Sequence, residues 1–242
     1  MKKSLFLLLT AIMMLPYETH AQSVNPTAYY TDEKGESLEG TSIDDGQAPL
    51  SITFRSNPSG MDEWTPTYEW HFRKLESESG TRELLVRYEE DTQYTFNESG
   101  TFHIVQKTIL NKGNEIAELD SVTLIVTISE SRLEFPNAFS PNDDGINDIY
   151  GAIGVNEDNS TAHYKSIVEF HAYIFNRWGQ KLFEWTDVSK GWDGKYNGKP
   201  VKEGVYFVLV KAKGADGRKY NIRKDVNLLR AKDGRSTTTT GE

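Results

Sequence analysis

The chain has 242 residues, 27 Lys and Arg against 36 Asp and Glu, a formal net charge of −9, and no cysteine. That length suits one or two domains, and the acidic balance argues against nonspecific nucleic-acid binding, because phosphates would be repelled. Without cysteine there is no disulfide framework, no thiolate metal site and no cysteine for lipid attachment.

Met1-Lys2-Lys3 is a short basic start, Ser4 to Leu15 is an almost unbroken apolar run, and Thr19-His20-Ala21 places small residues before Gln22. This is the pattern of a cleaved signal peptide over 1–21, with an apolar run too short to span a bilayer comfortably. The mature chain is expected to leave the cytoplasm. Beyond the leader no helical period is sustained, and alternation with period two recurs instead.

In the first half, "APLSITF" (48–54) reads as an opening strand. In Thr67–Arg73, Tyr68, Trp70 and Phe72 share one face and Glu69, His71 and Arg73 take the other, so Trp70 is expected as a core plug between two sheets. Trp64, in the turn-rich "MDEWTP", is the better candidate for an exposed aromatic, although a packed loop suits it as well. "YTFNESGTFHIVQKTI" (94–109) reads as a hairpin-like pair turning at Ser99-Gly100. In the strand that follows, Val122, Leu124, Val126 and Ile128 point one way. Together these pieces resemble a PKD-type immunoglobulin-like domain over 22–130, but the Asp-Phe-Gly-Asp-Gly turn usual in that family after the tryptophan is replaced by His71-Phe72-Arg73-Lys74-Leu75.

A boundary is expected near 129–132. After it, "FPNAFSPNDDGINDIY" (135–150) concentrates turn formers between aromatic ends, with Phe135 and Phe139 as anchors and Gly145 as the bend. Phe175-Asn176-Arg177-Trp178-Gly179-Gln180 is an apolar strand broken by a polar turn, with Gly179 free to take positive φ. Trp178 and Trp192 read first as core or turn packing, and second as contacts with a receptor. Arg177 is placed either to pair with Asp193 or Glu203 or to face a partner. Trp192-Asp193-Gly194 is another turn, and Asn197-Gly198 is of the type favoured in two-residue hairpins. Residues 204–212 are apolar on both faces, which predicts a central strand buried between layers. Ala231–Glu242 has no apolar pattern and reads as a disordered tail.

The second half, on "FPNAFSPNDDGINDIY", "FHAYIFNRWGQKLFE", "GWDGKYNGKPVKEGVYFVLVKA" and "DVNLLR", resembles the gliding-motility-associated C-terminal domain, the type B sorting domain of the type IX secretion system. The resulting expectation is an all-β chain: two Ig-like antiparallel β-sandwiches in tandem, 22–130 and 131–230, after a cleaved signal peptide and before a tail, 231–242. The resemblance implies export through the periplasm to the cell surface or beyond, with the type IX machinery at the outer membrane as partner. The expected recognition patch comprises Asn142, Asp143, Asp144, Gly145, Asn147 and Asp148, then Arg177, Trp178 and Gly179, then Trp192, Asp193 and Gly194.

The 140–148 loop suggests two other chemistries. Ser140, Asn142, Asp144 and Gly145 echo an EF-hand, but the bidentate glutamate position is Gly151 and no helix flanks the loop. A calcium loop of another kind, using Asp143, Asp144 and Asp148, stays open beside a turn in which Asn142 and Asp143 cap local amides. Asp143 and Asp144 as a glycosidase pair is rejected, because neighbours on one turn cannot easily flank a sugar bond. His71, His103, His163 and His171 show no metal-ligand spacing, His71 and His103 read as solvent-side residues, and no nucleophile elbow or phosphate loop appears. No cofactor other than that calcium is expected, and no enzyme. Three roles stay open for the cargo: a binding or spacing module, an accessory or signalling component of the secretion and envelope machinery, and a minimal adhesin for glycan or protein.

Overall fold

The computed structural model describes residues 21–32, 35–76, 80–152 and 163–230. Most of the expected leader and all of the expected tail lie outside these residues. Every regular element among them is a β-strand, and no helix there is long and apolar enough to cross a membrane.

The N-terminal sandwich packs a four-stranded sheet, in the order Ser37–Gly40, Thr27–Thr31, Leu50–Arg55, Thr92–Phe96, against a six-stranded one. The larger sheet runs Ser42–Gly46, Val122–Ile128, Gly100–Lys112, Thr65–Glu76, Gly80–Arg87, with Glu115–Glu118 also paired to Gly100–Lys112. Alternation decides what goes inside: Ile52 and Phe54 from one sheet meet Trp70, Phe72, Ile104 and Val126 from the other, all buried in one cluster. Phe54 touches Trp70 and Phe72, at ring separations of 6.1 and 5.5 Å. The indole N–H of Trp70 donates to the carbonyl oxygens of Glu89 and Glu90 at 3.0 and 3.2 Å, so the plug is also polar-satisfied. Trp64 is half-buried, with Lys112 over its ring.

The 94–109 segment corrects the hairpin reading. Thr92–Phe96 pairs with Leu50–Arg55, whereas Gly100–Lys112 pairs with Thr65–Glu76 and Val122–Ile128. The turn at Ser99-Gly100, with Gly100 at φ 120, is a corner between layers. Nor is every pairing antiparallel: Ser42–Gly46 runs parallel to Val122–Ile128, and Ala138–Phe139 runs parallel to the last strand.

The C-terminal half builds a five-stranded sheet in the order Ala138–Phe139, Lys219–Leu228, Gly204–Gly214, Ile167–Phe175, Lys181–Trp185. Its inner face packs on short pairs, Arg132–Leu133 with Tyr164–Lys165 and Tyr150–Gly151 with Gly191–Trp192. Trp192 is fully buried, 5.4 Å from Phe139 and 5.2 Å from Tyr206 between ring centroids. Gly204–Gly214 is central, as expected, but it is not buried on both faces. Val208, Val210 and Ala212 point inward, while Val205 and Phe207 are 45% and 46% exposed. The second layer covers only the inner face.

The two sandwiches meet through side chains and backbone. Lys165 Nζ donates to both carboxylate oxygens of Asp45 at 2.7 Å, and the hydroxyl of Ser129 also bonds Asp45. The amide of Ala48 donates to Ser166 Oγ at 3.2 Å, and that of Ser99 donates to the carbonyl of Ala215 at 3.1 Å. Ala215 itself packs into the N-terminal core cluster. At the crossover, Ser131 donates its hydroxyl and amide to Asp216 at 2.7 and 3.2 Å.

Candidate recognition surface

Strand register fixes where the polar turns collect. At one end of the five-stranded sheet Ile167 faces Gly214 and Lys213 faces Lys219; this end carries Ala215 and meets the N-terminal sandwich. At the other end Phe175 faces Phe207, Gly204 faces Leu228 and Phe139 also faces Leu228. The 140–148 loop, the 176–180 turn and the 193–203 segment all leave from this distal end.

The 140–148 loop is closed by its own chain. The Ser140 amide donates to the carbonyl of Asn147 at 2.9 Å. The Asp148 carboxylate accepts the amides of Asn142, Asp143 and Gly145 at 2.8, 2.8 and 2.7 Å. Asp144 accepts the amide of Ile146, and Asn142 accepts that of Asp144. Desolvation pushes the Asp148 carboxyl upward, but the backbone donors Asn142, Gly145 and Asp143 outweigh it and hold the group below its usual range. Asp143, expected to cap an amide, instead adopts φ 63 and donates its own.

Both oxygens of Asp148 therefore face N–H donors, which is a poor setting for a cation. Among the described residues no group of three or more His, Cys, Asp or Glu is placed to hold a metal ion.

The 176–180 turn is organised by Asn176, which sequence reasoning passed over. Its Oδ1 accepts the amides of Trp178 and Gln180, both at 3.0 Å, and its carbonyl accepts that of Gly179 at 3.0 Å, with Gly179 at φ 79. An Asn with Gly three residues later is the signal that was available. The turn presents Trp178 84% exposed, which corrects the first reading of that residue as packing. Arg177 is exposed and makes no ion pair with a described residue: Asp193 pairs with Lys195 at 3.1 Å instead, and Glu203 has no cation partner among the described residues. Gln180 Nε2 donates to Tyr196 OH at 3.2 Å, tying this turn to the 195–200 hairpin, where Asn197 and Gly198 both have positive φ.

Trp192 lies in the core, with its indole N–H bonded to the carbonyl of Lys195 at 2.8 Å, so it is no surface contact. Gly194 is likewise buried, at φ 74, and a Cβ there would lie 2.9 Å from Pro141 Cγ. Of the three expected turns, 142–148 and 177–179 are displayed, while 192–194 mostly supports them from within. Arg230, also missed, joins the segments: its guanidinium donates to the carbonyls of Pro141 and Val201 at 3.2 and 3.1 Å.

His71 is hemmed by carboxylates, with Glu83 at 2.9 Å and Glu69 at 3.2 Å, and His171 meets Glu184 at 2.7 Å. Each is a hydrogen-bond partner of carboxylates on an outer sheet face. No nucleophile, base and orienting acid are brought together among the described residues.

The fold and this surface define a class: a tandem β-sandwich protein whose C-terminal module displays tethered turns at its free end. Residues 133–224 match the family model described as CHU_C Type IX secretion signal domain. The C-terminal module is thus a type IX sorting domain, which marks the protein for passage through the periplasm to the cell surface or beyond. No curated protein sequence matches the chain.

Solved structures with similarity include the FN1–FN3 domains of chicken CNTN1, at 12% identity over 80% of this chain and 68% of that one, TM-score 0.28. Another is SGBP-B of a Bacteroides ovatus mixed-linkage glucan utilization locus, in complex with a mixed-linkage heptasaccharide, at 15% identity and TM-score 0.23. The match covers 77% of this chain and 42% of that one. A tetra-tandem repeat from the extending region of a large adhesion protein matches at 10% identity over 87% and 68%, TM-score 0.26. At TM-scores of this size none of them bears on what the chain does.

Proposed function

We propose that the chain is a small secreted or cell-surface protein without catalytic activity, exported because the type IX machinery at the outer membrane reads its C-terminal module as a folded surface. The observation that carries this reading is the sorting-domain match over residues 133–224. The tethering of the 142–148 and 177–179 turns at the end away from the N-terminal module supports it. We also propose that residues 22–130 are a PKD-like module that serves as a binding or spacing element. The buried Trp70 between two sheets supports that reading.

Deletion of 133–242 tests the assignment. The truncated protein should accumulate in the periplasm with its leader removed, while the full chain reaches the medium or the surface. Export of the truncated form at the full-chain level would end the proposal. A pull-down of the exported protein against envelope fractions and glycans then assigns the N-terminal module: secretion or envelope components mark an accessory role, glycan or host protein an adhesin.

A further inference from the structure

The outer face of the C-terminal sheet bears an apolar strip that the described chain leaves partly open, with Val205 and Phe207 exposed and Leu209 and Phe175 half-buried. Val205, Phe207 and Leu209 alternate along the central strand, and the register sets Phe175 beside Phe207 and Tyr173 beside Leu209. At its distal end Val205 also lines a groove of about 410 Å³ shared with Trp178. Trp178, Val205, Phe207, Phe175 and Leu209 therefore form one continuous surface, running from the turn tip onto the sheet. Exposed apolar strips of this kind in a folded protein mark contact sites.

Charge distinguishes the occupant. Arg177, Lys202 and Arg223 flank the strip and make no ion pair with a described residue, and they outnumber the carboxylates Glu203 and Asp225 that line the same grooves. The chain's acidity is concentrated elsewhere: residues 22–130 hold 8 Lys and Arg against 20 Asp and Glu, whereas 131–230 hold 15 against 13. A partner with an acidic rim is repelled by the N-terminal module and steered to the distal end, where those cations stand. The strip mixes aliphatic and aromatic side chains, and the Tyr173 and Phe175 rings are inclined by 32°. That surface matches apolar protein side chains better than the flat face of a sugar.

We infer that this strip, rather than the 142–148 loop, is where the sorting module docks on the export machinery, and that the docking partner is a protein surface with an apolar centre and a carboxylate rim. The inference rests on the sorting reading above. The aromatic anchors supply affinity, and the cations supply orientation and rate.

The test uses the full chain in an export-competent strain, comparing Trp178→Ala/Phe207→Ser, Arg223→Glu and, as control, Ile116→Ser, an exposed apolar change in the N-terminal sandwich. The expected result is export of the double variant reduced about tenfold or more, the scale of losing interface anchors. Arg223→Glu should show a smaller loss and the control none, with melting temperatures unchanged throughout. A photo-crosslinker at position 207 should give an adduct with a type IX component. Wild-type export of the double variant, where the 133–242 deletion is blocked, overturns the docking site and leaves the sorting reading standing. Export of the deletion overturns both. An adduct between two copies of this chain, or with glycan, overturns the named partner.

Discussion

Asp45 and Lys165 belong to different sandwiches, 120 positions apart in sequence, and their side chains meet at 2.7 Å. Around them Ala48 bonds Ser166 and Ala215 enters the neighbouring core. The junction is thus a packed contact with specific hydrogen bonds rather than a tether.

Asp45→Asn should loosen this contact while leaving each sandwich intact. Because Asp45 is largely exposed and Lys165 half-buried, the change in unfolding free energy should be within about 1 kcal/mol, but small-angle scattering should show a broader range of interdomain distances. The hydrogen bond from Lys165 leads the causes that hold the Asp45 carboxyl below its ordinary value of 3.8. Its contribution is therefore complete above that ordinary value and fades as pH falls through the depressed one. The scattering difference between wild type and Asp45→Asn should disappear at the acid end; a difference that widens there would refute the assignment.

Trp70 and Trp192 plug separate cores. Trp70→Ala and Trp192→Ala should each destabilise by about 3–5 kcal/mol, with the first moving the unfolding of the N-terminal sandwich and the second that of the sorting domain. Denaturant titration followed by amide exchange separates the two. Equal loss of protection in both halves from either variant would show that the cores do not unfold as distinct units.

Asp148 and Asp143 should behave differently although both are acidic and close in sequence. Asp148→Asn weakens three backbone hydrogen bonds to a carboxylate and should lower the melting temperature. Asp143→Asn, which leaves the backbone amide in place and still suits positive φ, should change little. Millimolar calcium should shift neither wild type nor variants in a thermal melt; a clear upward shift for wild type alone would reinstate a cation site.

Gly194→Ala combines two penalties, positive φ and a Cβ 2.9 Å from Pro141. Gly145→Ala meets only the first, since its Cβ would point into open space. The left-handed backbone alone costs about 1–2 kcal/mol, so Gly194→Ala should lose more than that and Gly145→Ala no more. Comparison of the two midpoints in urea decides it.

Much of this was legible in the sequence, and the reasons are particular. Alternation placed Trp70, Phe72, Leu124 and Val126 inside correctly because a half-buried strand repeats every two residues. It failed at Val205 and Phe207, because apolar residues on both sides of a strand look the same whether the second side meets another layer or is left open. Local pattern could not tell that Thr92–Phe96 and Gly100–Lys112 enter different sheets, since pairing partners lie far away in sequence. Trp178 and Trp192 were indistinguishable by type and by neighbouring glycine. Asn176 turns one outward, and Phe139 with Tyr206 closes around the other.

Arg230 grips Pro141 and Val201 from the distal end, so the backbone passes residue 230 beside the displayed turns and away from the N-terminal sandwich. A reporter joined directly after residue 230 would stand beside those turns. Fluorescent or affinity labels belong within the N-terminal sandwich, where they leave the distal end of the C-terminal sheet clear.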